Sequence, residues 1–305
     1  MKRSQSGSTK HPVRCRVLVI LIAISAIALS PASSAQVRVL PTEIKDDRAP
    51  SSSFAGLEIE LKVFGDILSD AKAIRLSINT AVDETGKSIV KDDESPTTFN
   101  ELSESDQNVA KVALKLKNPA RQAMTIKEIT GSFEFFVPSK DPASSVTVTN
   151  IPNLAGSPLN SPALKAAGIE VTLWSKAQFD AKKKIEEEKL KKAQAKAKQA
   201  KTENEVAAAL IEVFGSLFSS LSNMDEEDVA LQIKDPQSKI VAIEFQDSNG
   251  NSISSGRMSM GGPKEQTRVY DFREKLSVDA RMKIYMLTAK SVIKAPFRLD
   301  NVPLP

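Results

Sequence analysis

The side chains that most often perform catalysis or bind metals are scarce in this sequence of 305 residues. The sole histidine, His11, and the sole cysteine, Cys15, both lie near the amino-terminal end. The rest of the chain therefore cannot contain a Ser-His-Asp triad, a Cys-His pair, a zinc site made of His or Cys, or the usual haem or iron–sulfur ligands. Acid–base catalysis by carboxylates, a Ser–Lys pair and oxygen-ligated Ca²⁺ remain. We predict no cofactor, no metal site and no catalytic residue.

Two aspartates begin turns of the same pattern, Asp-x-x-Gly-x-Ser-Ile, at residues 83–89 and 247–253. The glycine of such a turn can adopt positive φ. As calcium loops, both segments lack the later ligands of an EF-hand, so structural turns are favoured and weak calcium binding stays open. A second likeness joins residues 112–119 to residues 229–236. The two likenesses occur in opposite order along the chain, which leaves duplication of a strand module open.

The first 35 residues predict a secretory signal peptide. Five basic residues, of which Arg16 is the last, precede an apolar run at residues 17–29, and small residues precede Gln36. The run is too short for an ordinary membrane span. Cleavage after Ala35 would leave 37 of the 42 Lys and Arg residues against 38 Asp and Glu residues, a net charge of −1. A strongly cationic nucleic-acid binder is therefore not predicted, and neither is a membrane span after cleavage.

Residues 175–222 predict a long helical segment. Ser175 and Gln178 have the spacing of a capping box, and Trp174 can pack on Phe179 as a hydrophobic staple. Residues 175–201 are rich in Lys, Glu, Ala and Gln, which predicts a charged, solvated helix. Residues 202–222 predict an amphipathic helix. Its apolar face is the candidate interaction face, formed by Val206, Leu210, Val213, Phe214, Leu217, Phe218 and Leu221.

A soluble protein rarely exposes such a strip, so the candidate interaction face should dock on protein. Its spacing is close to a coiled-coil heptad but too short for a self-sufficient coiled coil. Docking on a sandwich of the same chain is the favoured arrangement, and self-association through this helix is the second. If neither occurs, the face is free for an outside partner or a membrane.

Short alternating segments on both sides of the helix predict antiparallel strands. The expected fold class is mainly β, with two immunoglobulin-like sandwich regions separated by the long charged and amphipathic helical segment. The expected divisions are a linker at 36–53, a first sandwich at 54–174, the helical segment at 175–222 and a second sandwich at 229–305.

The function expected from these features is that of an exported, non-catalytic scaffold that binds other proteins in the periplasm, the cell envelope or outside the cell. A carbohydrate- or peptidoglycan-binding module and a carboxylate-based enzyme acting on glycans are the alternatives. Sugar-binding clefts usually present Trp and Tyr side chains, and this chain has only Trp174, Tyr270 and Tyr285. Trp174 is already expected to pack on the helix, so the alternatives are less favoured.

Overall fold

Alternating apolar and polar residues form antiparallel strands along most of the chain. The structure, a computed structural model, describes residues 37–49, 55–92, 98–199, 224–262 and 264–305. The strands are β1 (Arg38–Asp47), β2 (Gly56–Phe64), β3 (Ala73–Asp83), β4 (Asn100–Glu101), β5 (Val109–Leu116), β6 (Thr125–Phe136), β7 (Ser145–Thr149), β8 (Glu170–Trp174), β9 (Val229–Lys234), β10 (Ile240–Gln246), β11 (Gly256–Gly261), β12 (Glu265–Asp271), β13 (Arg281–Met286) and β14 (Val292–Pro303). Within the described ranges the α-helices are α1 (Pro162–Ala167) and α2 (Lys176–Gln199).

Strand β2 illustrates why these segments pair in sheets. Leu57, Ile59, Leu61 and Val63 are fully buried, whereas the charged residues between them are half-buried. This period of two is the one that a pleated strand imposes, and it gives the sheet one core face and one outer face.

The strands form four antiparallel sheets that enclose two hydrophobic cores. The first module consists of the sheets β1-β2-β5 and β14-β6-β3-β4, and its core includes Leu61, Leu114 and Phe133. The second module consists of the sheets β11-β12-β9-β8 and β10-β13-β7, and its core includes Leu231 and Phe245. The prediction of a mainly-β fold class is confirmed.

The two modules exchange their last strands. β7 directly follows β6 along the chain, yet it pairs with β13 of the second module, where Ser145 lies opposite Tyr285. β14 directly follows β13, yet it pairs with β6 of the first module, where Val292 lies opposite Phe136. The two crossing connections are joined by the Val137 N–H, which donates to the Ser291 carbonyl at 2.7 Å. The modules therefore cannot separate without unpairing β7 or β14.

A small core also fills the contact between the modules. Ala73 and Phe136 of the first module pack with Val241, Ala242 and Tyr285 of the second. The rings of Phe136 and Tyr285 meet edge to face with centroids 6.3 Å apart. The contact is thus apolar at its centre, which favours one fixed arrangement of the two modules.

The pairing of strands differs from the division expected along the sequence. Residues 36–53, expected to be a linker, contain β1, which pairs with β2. The second module includes β7 and β8, which lie in residues 145–174 and were expected in the first sandwich. The first module includes β14, residues 292–303, which was expected in the second sandwich. Contiguous segments were expected to fold as units, whereas hydrogen bonds join strands that are far apart in sequence.

The charged half of the predicted helical segment contains α2, which ends at Gln199. Residues 200–223 lie outside the described residues, and so do the amphipathic stretch 202–222 and the whole candidate interaction face from Val206 to Leu221. The predicted signal peptide at residues 1–35 also lies outside them. No helix within the described ranges is both long and apolar enough to cross a membrane.

Candidate interaction site

The two aspartate turns share one hydrogen-bond pattern, in which the carboxylate accepts from backbone N–H groups of its own turn. Asp83 is fully buried, whereas Asp247 is half-buried. The Asp83 carboxylate accepts hydrogen bonds from the N–H groups of Thr85, Lys87 and Ala120 at 2.8–3.0 Å. Burial opposes its charged form, but these donors, of which Ala120 contributes most, hold the pKa of Asp83 below its ordinary value.

Asp247 repeats this arrangement in the second module. Its Oδ1 accepts from the N–H groups of Asn249 and Asn251, both at 2.8 Å, and the Asn251 side chain lowers its pKa most. N–H donors occupy the carboxylate oxygens that a cation would need. Across the described residues, no three His, Cys, Asp or Glu side chains are grouped so as to hold a metal ion.

Only one of the two sequence likenesses joins equivalent places in the modules. The aspartate turns follow β3 and β10, the strands that pair with β6 and β13 respectively. Residues 112–119 begin in β5, which lies at the edge of its sheet beside β2, whereas residues 229–236 begin in β9, which lies between β12 and β8. The second likeness therefore reflects shared strand composition rather than a shared position.

The start of α2 is fixed by the two local motifs that the sequence predicts. The Ser175 N–H donates to Gln178 Oε1 at 3.0 Å, and the Gln178 N–H donates to Ser175 Oγ at 3.3 Å, which completes the capping box. Trp174 and Phe179 pack with ring centroids 6.4 Å apart, as the hydrophobic staple requires. These contacts set the direction in which α2 leaves β8.

Phe179 anchors α2 on the outer face of the sheet β11-β12-β9-β8. It is buried with Met224, Ala230 and Val269, and Met260 packs against this cluster. Ala230 and Val269 alternate with residues that point into the core of the second module, so they belong to the opposite face. The Lys176 ammonium donates to the Met224 carbonyl, which ties the return of the chain to the first turn of α2.

An apolar groove of about 310 Å³ opens beside this anchor, between α2 and the sheet. Trp174, Phe179 and Met260 form its apolar wall. Lys182 and Lys183 line its rim and are half-buried, whereas Lys184 is exposed. The expectation of a uniformly solvated charged helix is therefore wrong at Lys182 and Lys183, because the first turns of α2 lie over the sheet.

An acidic groove of about 300 Å³ lies on the other side of Trp174. Its rim carries the four consecutive acidic residues 225–228 together with Lys176 and Lys275. Burial raises the pKa of Asp228, and the charges of Asp271 and Asp225 raise it further. A hydrogen bond from the Asp225 N–H to Asp228 Oδ2, at 2.8 Å, acts in the opposite direction but does not outweigh them. The groove thus combines an indole with a carboxyl group that holds its proton more strongly than usual.

A polar cleft of about 530 Å³ lies where the modules meet. Lys72 of the first module forms an ion pair of 3.0 Å with Glu244 of the second, and the Tyr285 hydroxyl donates to Glu244 at 3.1 Å. Burial, together with the Glu244 charge, raises the pKa of Tyr285 well above its ordinary range. The hydroxyl therefore stays a neutral donor, and these groups serve to join the modules.

One exposed element near the apolar groove, strand β11, was not predicted from the sequence. Its sequence, Gly-Arg-Met-Ser-Met-Gly, alternates methionine with small or polar residues, which is a period-two signal. Flanking glycines and serines gave the segment the composition of a loop. Met258 and Met260 lie opposite Val269 and Thr267, on the same outer face as the apolar groove.

Comparison with known proteins gives no relative from which a role could be transferred. The chain matches no protein-family model, no curated protein and no solved structure.

Proposed function

We propose that the protein is an exported, non-catalytic scaffold that binds another protein through residues 206–221. The observation that carries this proposal is the position of the chain on either side of residues 200–223. The chain leaves the second module along α2 and returns at Met224, beside Lys176. The helical segment is thus an insertion between β8 and β9, attached to the sheet at its base.

The length of α2 fits an appendage that projects and returns. At 1.5 Å per residue, its 24 residues span about 36 Å. The intervening residues 200–223, which include the candidate interaction face from Val206 to Leu221, also number 24 and lie outside the described residues. We propose that a partner protein reaches this face. Docking of this face into the apolar groove of the same chain is the competing arrangement.

The fold that we propose for each module is immunoglobulin-like. In the second module, β8 to β13 follow the chain order of strands A to F of that fold. The strands β8, β9, β12 and β11 fill the A, B, E and D places of one sheet. β10 and β13 fill the C and F places in the other sheet, and β7 fills the G place. Immunoglobulin-like modules commonly present binding surfaces on a rigid framework, which supports a role as a scaffold.

Crosslinking from the two faces of the helical segment tests the proposed function. A photoreactive amino acid at Leu217 should yield a covalent adduct with a second, different protein in exporting cells. The same amino acid at Ser219, on the polar face of the same segment, should yield much less. Mass spectrometry of the exported protein should show cleavage after Ala35. Adducts of equal yield at both positions, or only crosslinks within the chain at Leu217, would contradict the proposal.

One observation favours a second candidate function, binding or hydrolysis of a glycan. The acidic groove places Trp174 beside carboxylates, and the raised pKa of Asp228 is a property expected of a general acid. A panel of soluble glycans and insoluble envelope polymers would decide between the candidates. Binding or hydrolysis that is lost in both Trp174→Ala and Asp228→Asn would favour the glycan, and absence of both would favour the protein-binding scaffold.

A further inference from the structure

Most sheet edges within the described residues carry a feature that blocks pairing with another strand. β4 has two residues, and β1 contains Pro41 and a shift in register. β14 contains Pro296, with Lys294 and Arg298 two positions away on either side. β5 presents the exposed Lys111 and Lys115. Short strands, prolines, irregular register and lysines are the usual means by which proteins protect such edges.

Two other edges are covered by their own chain. The Leu159 N–H donates to the Val171 carbonyl at 2.8 Å, so the loop before α1 covers β8. The Ile253 N–H donates to the Phe245 carbonyl at 2.8 Å, so the second aspartate turn covers the end of β10. β7 carries no charge, but it is short, with five residues. Its two valines pack toward the core of the second module. A strand added beside β7 would gain little apolar contact.

β11 has none of these protections. Its six residues pair with β12 in unbroken register, from Gly256 opposite Asp271 to Gly261 opposite Gln266. It contains no proline, and its one charged side chain, Arg257, is paired with Glu101. Met258 is 40 % exposed, a large apolar side chain on a regular edge strand. Such an edge is a template for another strand.

The sequence of β11 is nearly the same read in either direction about Ser259. We propose that β11 pairs antiparallel with β11 of a second copy of this chain, on a two-fold axis at Ser259, which joins two four-stranded sheets into one of eight strands. In this register Met258 lies opposite Met260 of the second copy. Arg257 lies opposite Gly261 of the second copy, so no two arginines face each other.

The proposed register follows from the pleat of the strand. Met258 and Met260 share one face of the sheet, so pairing about Ser259 brings four methionines together on the outer face. A slip by one residue would place methionine opposite serine and mix apolar with polar side chains. Glycine at both ends of β11 leaves room for the approaching strand. This association goes beyond the proposed function, because it uses a different surface and a second copy rather than another protein.

Disulfide trapping tests the register directly. In the full chain with Cys15→Ser, the introduced cysteine is the sole thiol. Ser259→Cys should form a covalent dimer under mild oxidation, since directly opposite residues have Cβ atoms about 4.5–5.5 Å apart, near the range of a disulfide. Met258→Cys should form far less, because in this register the two copies of residue 258 are diagonal neighbours about 7–8 Å apart. Met124→Cys, at a 70 % exposed site in the first module, measures random collision.

Sedimentation of variants without cysteine tests the association itself. The wild-type mass should rise toward that of a dimer with concentration. Met258→Lys with Met260→Lys should weaken dimerisation by at least about tenfold, because four lysines would meet at the two-fold axis. Met124→Lys should dimerise as wild type does. A wild type that stays monomeric, a double variant that dimerises unchanged, or equal disulfide yields at residues 258 and 259 would each overturn the proposal, whether or not residue 217 contacts a partner.

Discussion

The buried carboxylate of Glu134 offers a test of whether the exchanged strands make the two modules unfold together. Glu134 lies in β6, and its side chain is 6 % exposed. It binds Arg75 of β3 and, at 2.7 Å, Lys294 of the exchanged strand β14. Glu134→Gln keeps the shape but removes the charge that both cations require. Loss of these charged hydrogen bonds should lower the free energy of unfolding by about 2–3 kcal/mol. This is less than the cost of breaking a fully buried ion pair, because Lys294 remains exposed to water.

The expected result is a shift in the unfolding of both modules. With a denaturant slope of about 2–3 kcal/mol per molar urea, the midpoint should fall by about 1 M. Circular dichroism follows strands of both modules, whereas fluorescence of the single tryptophan, Trp174, follows the second module alone. Because β7 and β14 are exchanged, both signals should shift by the same amount although Glu134 lies in the first module.

The matched control is Glu128→Gln in the same strand. Glu128 pairs with Arg298 at 2.7 Å, but Arg298 is largely exposed, so this change should cost less than about 1 kcal/mol. Two separate transitions, with the Trp174 midpoint unmoved by Glu134→Gln, would refute the idea that strand exchange couples the modules. A cost for Glu134→Gln no larger than that of the control would refute the assignment of a structural role to its charge.

The stability of the fold should depend on pH through three carboxylates, and the base of α2 should depend on Phe179. The pKa values of Asp83, Asp247 and Glu134 are held below their ordinary values. The stabilisation by these carboxylates should therefore be complete above about pH 4.5 and lost as the pH falls through the folded-state pKa values, which a measurement of the unfolding free energy against pH would show. Asp83→Asn should reduce the part of the unfolding free energy that depends on pH. Phe179→Ala should cost about 3–4 kcal/mol of local stability at the base of α2 and speed hydrogen exchange there. Ile185→Ala, at a 51 % exposed site of the same helix, should change hydrogen exchange little. Equal effects of the two changes would contradict anchoring by Phe179.

Features made by residues close in sequence could be predicted without the structure. The capping box and the staple at Trp174 and Phe179 involve residues three and five positions apart, so their spacing alone specifies them. The alternation in β2 likewise specifies a strand with one buried face. The mainly-β class follows from many such segments, each with its own local signal.

The candidate site could be predicted only in part, because its walls come from distant segments. Trp174 and Phe179 were singled out by their spacing, but Met260 joins them only because β11 pairs with β12. Half-burial of Lys182 and Lys183 depends on how α2 lies over that sheet, which composition does not encode.

The amino-acid sequence by itself determined most of the strands, the start of α2 and the chemistries that are excluded beyond Cys15, since each depends on residue type and short-range spacing. Only the tertiary structure decided that β1 belongs to a sheet and that β7 and β14 change places. A strand offers the same backbone donors and acceptors to any neighbour. Its partner is chosen by packing of the whole core, which joins residues as distant in sequence as Leu57 and Val302, rather than by any one segment.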